Sequence, residues 1–70
     1  MIREPVASSN ISSVGYDAPS ETLEVEFSNG TVYQFYNISQ GTYDEFLAAS
    51  SKGQFFNVYI KNAYPYSRVG

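Results

Sequence analysis

Residues 22–36 read TLEVEFSNGTVYQFY, and this stretch decides the fold. Its first half alternates apolar and acidic residues, which is typical of a strand with one buried face and one face in water. Asn29-Gly30 follows as a strong hairpin signal, because these residue types tolerate the positive φ angles of tight turns. The second half is rich in aromatic residues, which favour strands. The stretch therefore predicts a β-hairpin.

The length of the hairpin loop determines which side chains share a face. A two-residue turn would place Tyr33 and Phe35 beside the glutamates, on the wet face. A three-residue loop over residues 28–30, with its glycine left-handed, instead pairs Val25 with Tyr33 and Leu23 with Phe35. We predict the three-residue loop because it collects the apolar side chains on one face, which places Tyr33 and Phe35 in the core. The side chains then expected to face outward are Val32, Gln34 and Tyr36.

A further strand and two helices flank the hairpin. Residues 11–17 alternate weakly and predict a strand before it, with a turn over residues 18–21. Ser39 and Ser51 are each placed to cap a helix, because a serine oxygen can accept from a backbone N–H of the first helical turn. Thr42 offers a rival start for the first helix, one turn later.

Both helices carry apolar residues at helical spacing. The first helix is predicted to pack on the sheet through Tyr43, Phe46 and Leu47. The second helix carries its apolar residues at i, i+1, i+4 and i+5 spacing, at Phe55, Phe56, Tyr59 and Ile60. The first ten residues are expected to form an ordered loop or a short edge strand. The predicted fold is α+β: a single domain over residues 1–70, with a three-stranded antiparallel β-meander followed by two α-helices packed on one face.

Composition excludes several functional classes. The chain has no histidine and no cysteine, which rules out Cys/His zinc sites and Ser-His-Asp catalysis. No carboxylate pair stands beside a plausible nucleophile or metal ligand, so the sequence predicts a non-enzyme without catalytic residues, metal or cofactor. Four Lys and Arg against seven Asp and Glu give a net charge of −3, which disfavours RNA and other long polyanions.

The hydropathy of the chain predicts where the protein is located. No apolar run approaches the ~20 residues of a membrane span, and the N-terminal residues lack the apolar core of a signal peptide. We therefore expect a cytoplasmic protein that does not bind membranes.

Seven tyrosines and five phenylalanines make up 17% of the chain. A domain this small cannot bury so many rings, so some are expected to face a partner subunit or a ligand.

One segment has the features of an anion site: residues 51–57 read SKGQFFN. A helix that begins at Ser51 would present free N–H groups at Lys52 and Gly53, where the glycine lets a phosphate approach the backbone. The alternative is a well-capped helix with a solvated lysine. The residues that could complete the site are Asn57 and Lys61 on the same helix and Ser8 and Ser9, if that loop folds back.

The last three candidate residues are a second lysine and two tyrosines. Lys61 lies nine positions after Lys52, which is ~180° away on an ideal helix, so we expect the two lysines not to converge within one subunit. Tyr64 and Tyr36 could stack on a base. Their alternatives are a hydrophobic tail packed on the domain for Tyr64 and a protein interface for Tyr36.

Taken in order, five motifs resemble the KTSC domain. They read VxSSxI (6–11), GYD (15–17), LxVxFxNG (23–30), YxF (33–35) and SKGxFFNxxI (51–60). The resemblance covers about residues 6–64. Two positions depart from the family pattern: Phe35 stands where a tyrosine is typical, and Ser39 where a proline often opens the first helix.

The resemblance implies a fold more firmly than an activity. KTSC domains occur at the C-terminus of some lysyl-tRNA synthetases and as small stand-alone bacterial and phage proteins. Some phage proteins similar to the stand-alone members act as sponges, which sequester the cyclic oligonucleotide signals of CBASS-type defence without cleaving them. The expected function is such a sponge, a homo-oligomer that binds a cyclic di- or trinucleotide. The alternatives are an RNA- or tRNA-binding accessory module and a protein-interaction module.

Overall fold

The structure, a computed structural model, describes residues 1–70 as one five-stranded antiparallel sheet with helical segments. The strands are β1 (Glu4–Pro5), β2 (Ile11–Asp17), β3 (Thr22–Phe27), β4 (Val32–Phe35) and β5 (Tyr66–Arg68). The helices are α1 (Gln40–Ala48) and α2 (Lys52–Phe55), and α2 continues as a π-helical turn over Phe56–Ile60. The sheet takes its strands in chain order, β1-β2-β3-β4-β5. None of the helical segments combines the length and apolar character of a membrane span.

The β3–β4 hairpin has the predicted register. Leu23 lies opposite Phe35, and Val25 lies opposite Tyr33. Leu23 and Val25 are fully buried and Phe35 is 3% exposed. Tyr33 is only half-buried and packs against the core cluster from its margin, so its predicted place inside the core is wrong. The apolar face of the hairpin is therefore the face that the pattern predicted, with its outermost ring left partly open.

A three-residue loop closes this hairpin, as predicted. The Phe27 N–H donates to the Thr31 carbonyl at 2.9 Å, which leaves residues 28–30 as the loop. Gly30 has a φ of +90°, a left-handed conformation that glycine adopts without a Cβ clash.

A β-bulge explains why β2 alternates only weakly in sequence. The pairing with β3 shifts register between Ile11 and Ser13, so Ser12 is an extra residue on this strand. The extra residue lets Ile11 and Val14, three positions apart, point to the same face. Both are buried, at 0% and 1% exposure.

Serine side chains cap both helices, as predicted. The Ser39 Oγ accepts from the Thr42 N–H at 3.2 Å, so the rival start at Thr42 is wrong. The Ser51 Oγ accepts from the Gln54 N–H, also at 3.2 Å. The Gln54 side chain does not return a bond to Ser51, so the second cap is one-sided.

α1 packs through a narrower stripe than its apolar pattern predicted. Phe46 is fully buried and Tyr43 is half-buried. Leu47 is 41% exposed, so the prediction that it packs on the sheet is wrong. The helix contacts the sheet along one line of side chains centred on Phe46, and Leu47 lies on the flank of that line.

The second helix changes type in its middle. The Lys61 N–H donates to the Phe56 carbonyl, five residues back, at 2.9 Å, which is the bond of a π-helix. Phe56 and Ile60 are buried, at 3% and 0% exposure. Tyr59 is 58% exposed, so it does not pack in the core although it shares the apolar spacing of the helix. The wider π turn brings Phe56 and Ile60 onto one inward line and directs Tyr59 away from it.

The sheet has five strands where three were predicted. β1 forms one edge of the sheet, with Glu4 opposite Val14. Of the two possibilities predicted for the first ten residues, an ordered loop or a short edge strand, the edge strand is the one that forms. β5 adds the other edge, with Tyr66 opposite Phe35. It was missed because it is three exposed residues directly after a proline, too short to show a pattern. Core side chains from β2–β4 and the helical segments form one cluster, so the helices share one face and the α+β class is correct.

The opposite face of the sheet carries a polar network. Arg3 forms a salt bridge with Glu24 at 3.2 Å, and Glu24 accepts from the Gln34 amide at 2.9 Å. The Tyr36 hydroxyl lies 3.3 Å from the Gln34 oxygen and 3.0 Å from the Ser67 hydroxyl. Tyr36 therefore faces outward, as predicted, with its hydroxyl already engaged.

Candidate ligand-binding clefts

Two segments far apart in the chain, residues 7–10 and 50–57, meet at an open cleft of about 590 Å³. We call it the serine cleft. It is almost entirely polar, with Ala7 as its one hydrophobic lining residue. Six of the predicted site residues line it: Ser8, Ser9, Ser51, Lys52, Gly53 and Asn57. The fold-back of the N-terminal loop that the site needed is therefore present.

Gly53 has a different role from the predicted one. A Cβ at this position would lie 2.7 Å from the Asn10 Oδ1 and 3.4 Å from the Ser8 Oγ. The glycine thus allows the loop over residues 7–10 to approach α2 closely. The Ser8 hydroxyl donates to the Asn10 Oδ1 at 3.1 Å and holds the amide in this place. The space expected to admit a phosphate against Gly53 is filled by Asn10, so an anion would lie beside the glycine.

The serine cleft presents hydrogen-bond donors and one cation. Lys52 is its only charged lining residue, and no carboxylate pairs with it. Its Nζ lies 3.4 Å from the Ala49 carbonyl, a long contact that leaves the ammonium group available. Because α2 has only four α-helical residues, its dipole adds little, and hydroxyl, amide and ammonium groups remain as the anion-binding groups.

The other three predicted site residues lie elsewhere. Tyr36 is on the far face of the sheet, in the polar network. Tyr64 packs against the core and lines a groove beside α1 with Tyr59, which is the packed-tail alternative. Lys61 lines a further groove in which Lys52 has no part, so the two lysines do not converge within one subunit, as predicted.

The groove that contains Lys61 was not predicted from the sequence. We call this space of about 350 Å³ the asparagine groove. Its aromatic lining consists of Phe27, Tyr33, Phe35, Phe56 and Tyr66. Its polar lining consists of Asn10, Asn29, Thr31, Asn57, Lys61 and Asn62. Asn10 and Asn57 also line the serine cleft, so the two spaces adjoin. The groove was missed because one of its walls, Tyr66, arrives with the unpredicted β5.

Two tyrosines with perturbed acidity lie outside both clefts. The rings of Tyr16 and Tyr43 stack with centroids 4.5 Å apart, and the Tyr16 hydroxyl donates to the Ile38 carbonyl. Burial raises the pKa of Tyr16 above its ordinary value, and the nearby Glu21 carboxylate adds to the rise. Burial also raises the pKa of Tyr43. This pair fastens α1 to the sheet and takes no part in either cleft.

Comparison with known proteins identifies the fold. A KTSC domain protein from Yersinia pestis, known from a crystal structure, matches with a TM-score of 0.93 at 37% identity. The match covers 99% of this chain and 97% of that one. The family model of the KTSC domain matches residues 7–64. This chain belongs to the KTSC domain family.

Relatives of this KTSC domain include both small proteins and parts of large ones. A protein of Tsukamurella paurometabola is 38% identical over 58 residues, covering 83% of this chain and 87% of its own. A lysine–tRNA ligase of Trichormus variabilis is 33% identical over 54 residues. That match takes in 77% of this chain but only 10% of the ligase, so the KTSC domain also occurs as a small part of such enzymes.

Proposed function

We propose that this KTSC domain protein is a non-enzymatic nucleotide-binding protein, and that its serine cleft holds the phosphates of a cyclic di- or trinucleotide. The observation that carries the proposal is the convergence of Ser8 and Ser9 with Ser51 and Lys52, from opposite halves of the chain, in one polar cleft. As a homo-oligomer it would act as a sponge, sequestering a cyclic oligonucleotide signal without cleaving it.

The distribution of charge supports a small phosphorylated ligand. The chain carries a net charge of −3, yet no carboxylate lines the serine cleft or the asparagine groove. A long polyanion would meet the acidic remainder of the surface, because its binding sums over many phosphate contacts. A ligand with two or three phosphates needs only local donors. The hydroxyls, the amide of Asn57 and the ammonium group of Lys52 are of that kind.

Calorimetry tests this function directly. The purified protein is titrated at physiological salt with cyclic di-AMP, cyclic di-GMP, cyclic GMP–AMP and cyclic tri-AMP, and with a short single-stranded RNA. We expect saturable binding of one cyclic nucleotide, which chromatography then recovers intact. The particle mass, measured alongside by light scattering, reports whether the protein is a homo-oligomer. Recovery of a linearised product would overturn the non-enzymatic part of the proposal.

A pair of charge-reversal variants locates the site. Lys52→Glu is expected to abolish binding while the Tm moves by no more than about 2–4 °C, because the Lys52 ammonium group makes only one long hydrogen bond and no salt bridge. Arg68→Glu is the matched control, since it makes the same charge change at an exposed residue that lines neither cleft. Binding that survives Lys52→Glu, or that is lost equally in Arg68→Glu, would show that the serine cleft is not the site.

RNA binding is the second candidate, and the lysine–tRNA ligase relatives favour it. In that case the cyclic nucleotides give no heat, and the single-stranded RNA binds with an affinity that falls steeply as salt rises. If neither the cyclic nucleotides nor the RNA binds, the remaining candidate is a protein-interaction module, and a search for a protein partner would test it.

A further inference from the structure

We propose that the asparagine groove is a nucleobase-binding site, in which a base stacks on the ring of Tyr66 and its polar edge bonds to asparagine amides. In naming a nucleotide as the ligand, the inference rests on the proposed function. The base contacts themselves are argued from this groove alone.

The aromatic wall of the groove is both exposed and held in place. Tyr66 is 59% exposed. Its ring centroid lies 5.8 Å from that of Tyr33 and 5.7 Å from that of Phe35, so two rings support it. Phe35 in turn packs edge to face on Phe56, with ring centroids 5.2 Å apart, and these two rings form the floor of the groove. A fixed, open aromatic surface suits a flat ring, and every base has a face that can stack on it.

The rim supplies the groups that bind the edge of a base. The exposed side chains of Asn57 and Asn62 have no intramolecular partner, so each amide can donate and accept at once. The Asn29 oxygen accepts from the N–H and hydroxyl of Thr31, at 3.1 and 2.8 Å, which leaves its amino group free as a donor. Asparagine amides bind base edges through paired donor and acceptor bonds. A purely apolar occupant would leave these amides unpaired, at a cost in affinity.

The size and charge of the groove agree with a nucleotide. Its volume of about 350 Å³ falls at the lower end of the 300–1,000 Å³ typical of small-ligand sites. Lys61 is its only charged lining residue. Asn10 and Asn57 stand between this groove and the serine cleft, so one nucleotide can place its base in the former and a phosphate in the latter.

Uncharged nucleosides test the groove without the phosphate contacts. Adenosine, guanosine, cytidine and uridine are each titrated into ¹⁵N-labelled protein, and amide resonances are followed by NMR. We expect saturable shifts of the Asn57 and Asn62 side-chain amides and of the Tyr66 backbone amide. Absence of these shifts with all four nucleosides, or shifts confined to the groove beside α1, would overturn the inference.

Two tyrosine variants make the test specific. Tyr66→Ala is expected to raise the Kd for the nucleoside about tenfold or more, through the loss of stacking. Tyr59→Ala is the matched control, because Tyr59 is 58% exposed against 59% for Tyr66 but lies outside the groove. An unchanged Kd in Tyr66→Ala, or an equal rise in Tyr59→Ala, refutes the stacking site. If Tyr66→Ala fails to fold, the exposed Asn62→Ala carries the same expectation of weaker binding.

Inorganic pyrophosphate separates this inference from the proposed function. Shifts at Ser8 and Ser51 with pyrophosphate, without any nucleoside shift, would support the serine cleft and refute the base site. Nucleoside shifts in the asparagine groove, with pyrophosphate silent, would support the base site and contradict the phosphate site.

Discussion

Replacing Phe35 and Tyr36, in turn, with alanine tests the architecture of the hairpin. The two aromatic residues are neighbours in sequence, but they lie on opposite faces of the sheet. Phe35 is 3% exposed and packs on Phe56 and Tyr66, at centroid distances of 5.2 and 5.7 Å. Tyr36 is half-buried in the polar network of the other face. We expect Phe35→Ala to destabilise the protein several times more than Tyr36→Ala.

The magnitudes follow from what each ring loses. Removing a fully buried phenyl ring leaves a cavity and costs about 3–5 kcal/mol. Tyr36→Ala removes a half-exposed ring whose hydroxyl partners, Gln34 and Ser67, can bind water instead, at a cost of about 1 kcal/mol. A domain of this length has a free energy of unfolding of roughly 3.5–10 kcal/mol. Phe35→Ala therefore removes a large part of the total stability.

Urea unfolding followed by circular dichroism measures both effects. With a slope of about 1–3 kcal/mol per molar urea, Phe35→Ala should lower the midpoint by at least about 1 M, and by about three to five times as much as Tyr36→Ala, which should lower it by about 0.3–1 M. If Phe35→Ala is unfolded without urea, Phe35→Leu gives a measurable loss of about 1–2 kcal/mol. Equal losses for the two positions would refute the reasoning, because they would place Tyr36 in the core and require the two-residue turn.

Two further predictions concern the hairpin loop and the tyrosine pair. Gly30→Ala forces an alanine into a left-handed conformation and should lower the free energy of unfolding by about 1–2 kcal/mol. Gly30→Asn should lower it by less. A higher urea midpoint for Gly30→Ala than for Gly30→Asn would contradict the left-handed loop. Burial raises the pKa of Tyr16 and Tyr43, so the folded protein holds these protons more tightly than the unfolded chain. That contribution to stability is fully present below the unfolded pKa of about 10 and is lost as pH rises from there through the folded values. Tyr16→Phe should flatten this decline in urea titrations above pH 10, and an unchanged slope would show that Tyr16 does not cause it.

The features that could be predicted from sequence are those fixed by neighbouring residues. The hairpin register follows from the alternation in residues 22–27 and the glycine at position 30. The caps at Ser39 and Ser51 depend on atoms three residues away. The loop and strand motifs of a known family added the fold of most of the chain. Each of these signals depends on residues only a few positions apart, so the sequence pattern is enough to predict the structure that they form.

The features that were missed depend on contacts between distant segments. The spacing of Phe55, Phe56, Tyr59 and Ile60 fits an α-helix as well as the π turn that forms, so it could not reveal which side chains turn inward. β5 exists because β4 offers it an edge. Gly53 was recognised as a place of close approach, but the sequence could not show that Asn10 is the group that approaches. The asparagine groove combines side chains from both sheet and helix, and no local pattern marks it.

The order of strands in the sheet has a consequence for folding kinetics. The strands β1 to β4 follow one another through short loops, so their pairing closes little chain and costs little entropy. The β4–β5 pair is different, because residues 36–65, with both helices, lie between its strands. We expect β5 to join the sheet last during folding and to open first afterwards, with amide exchange faster there than in β2 or β3. Since Tyr66 belongs to β5, we expect this wall of the asparagine groove to form last, and the speed of this final pairing would then limit how soon a newly folded molecule can hold a base.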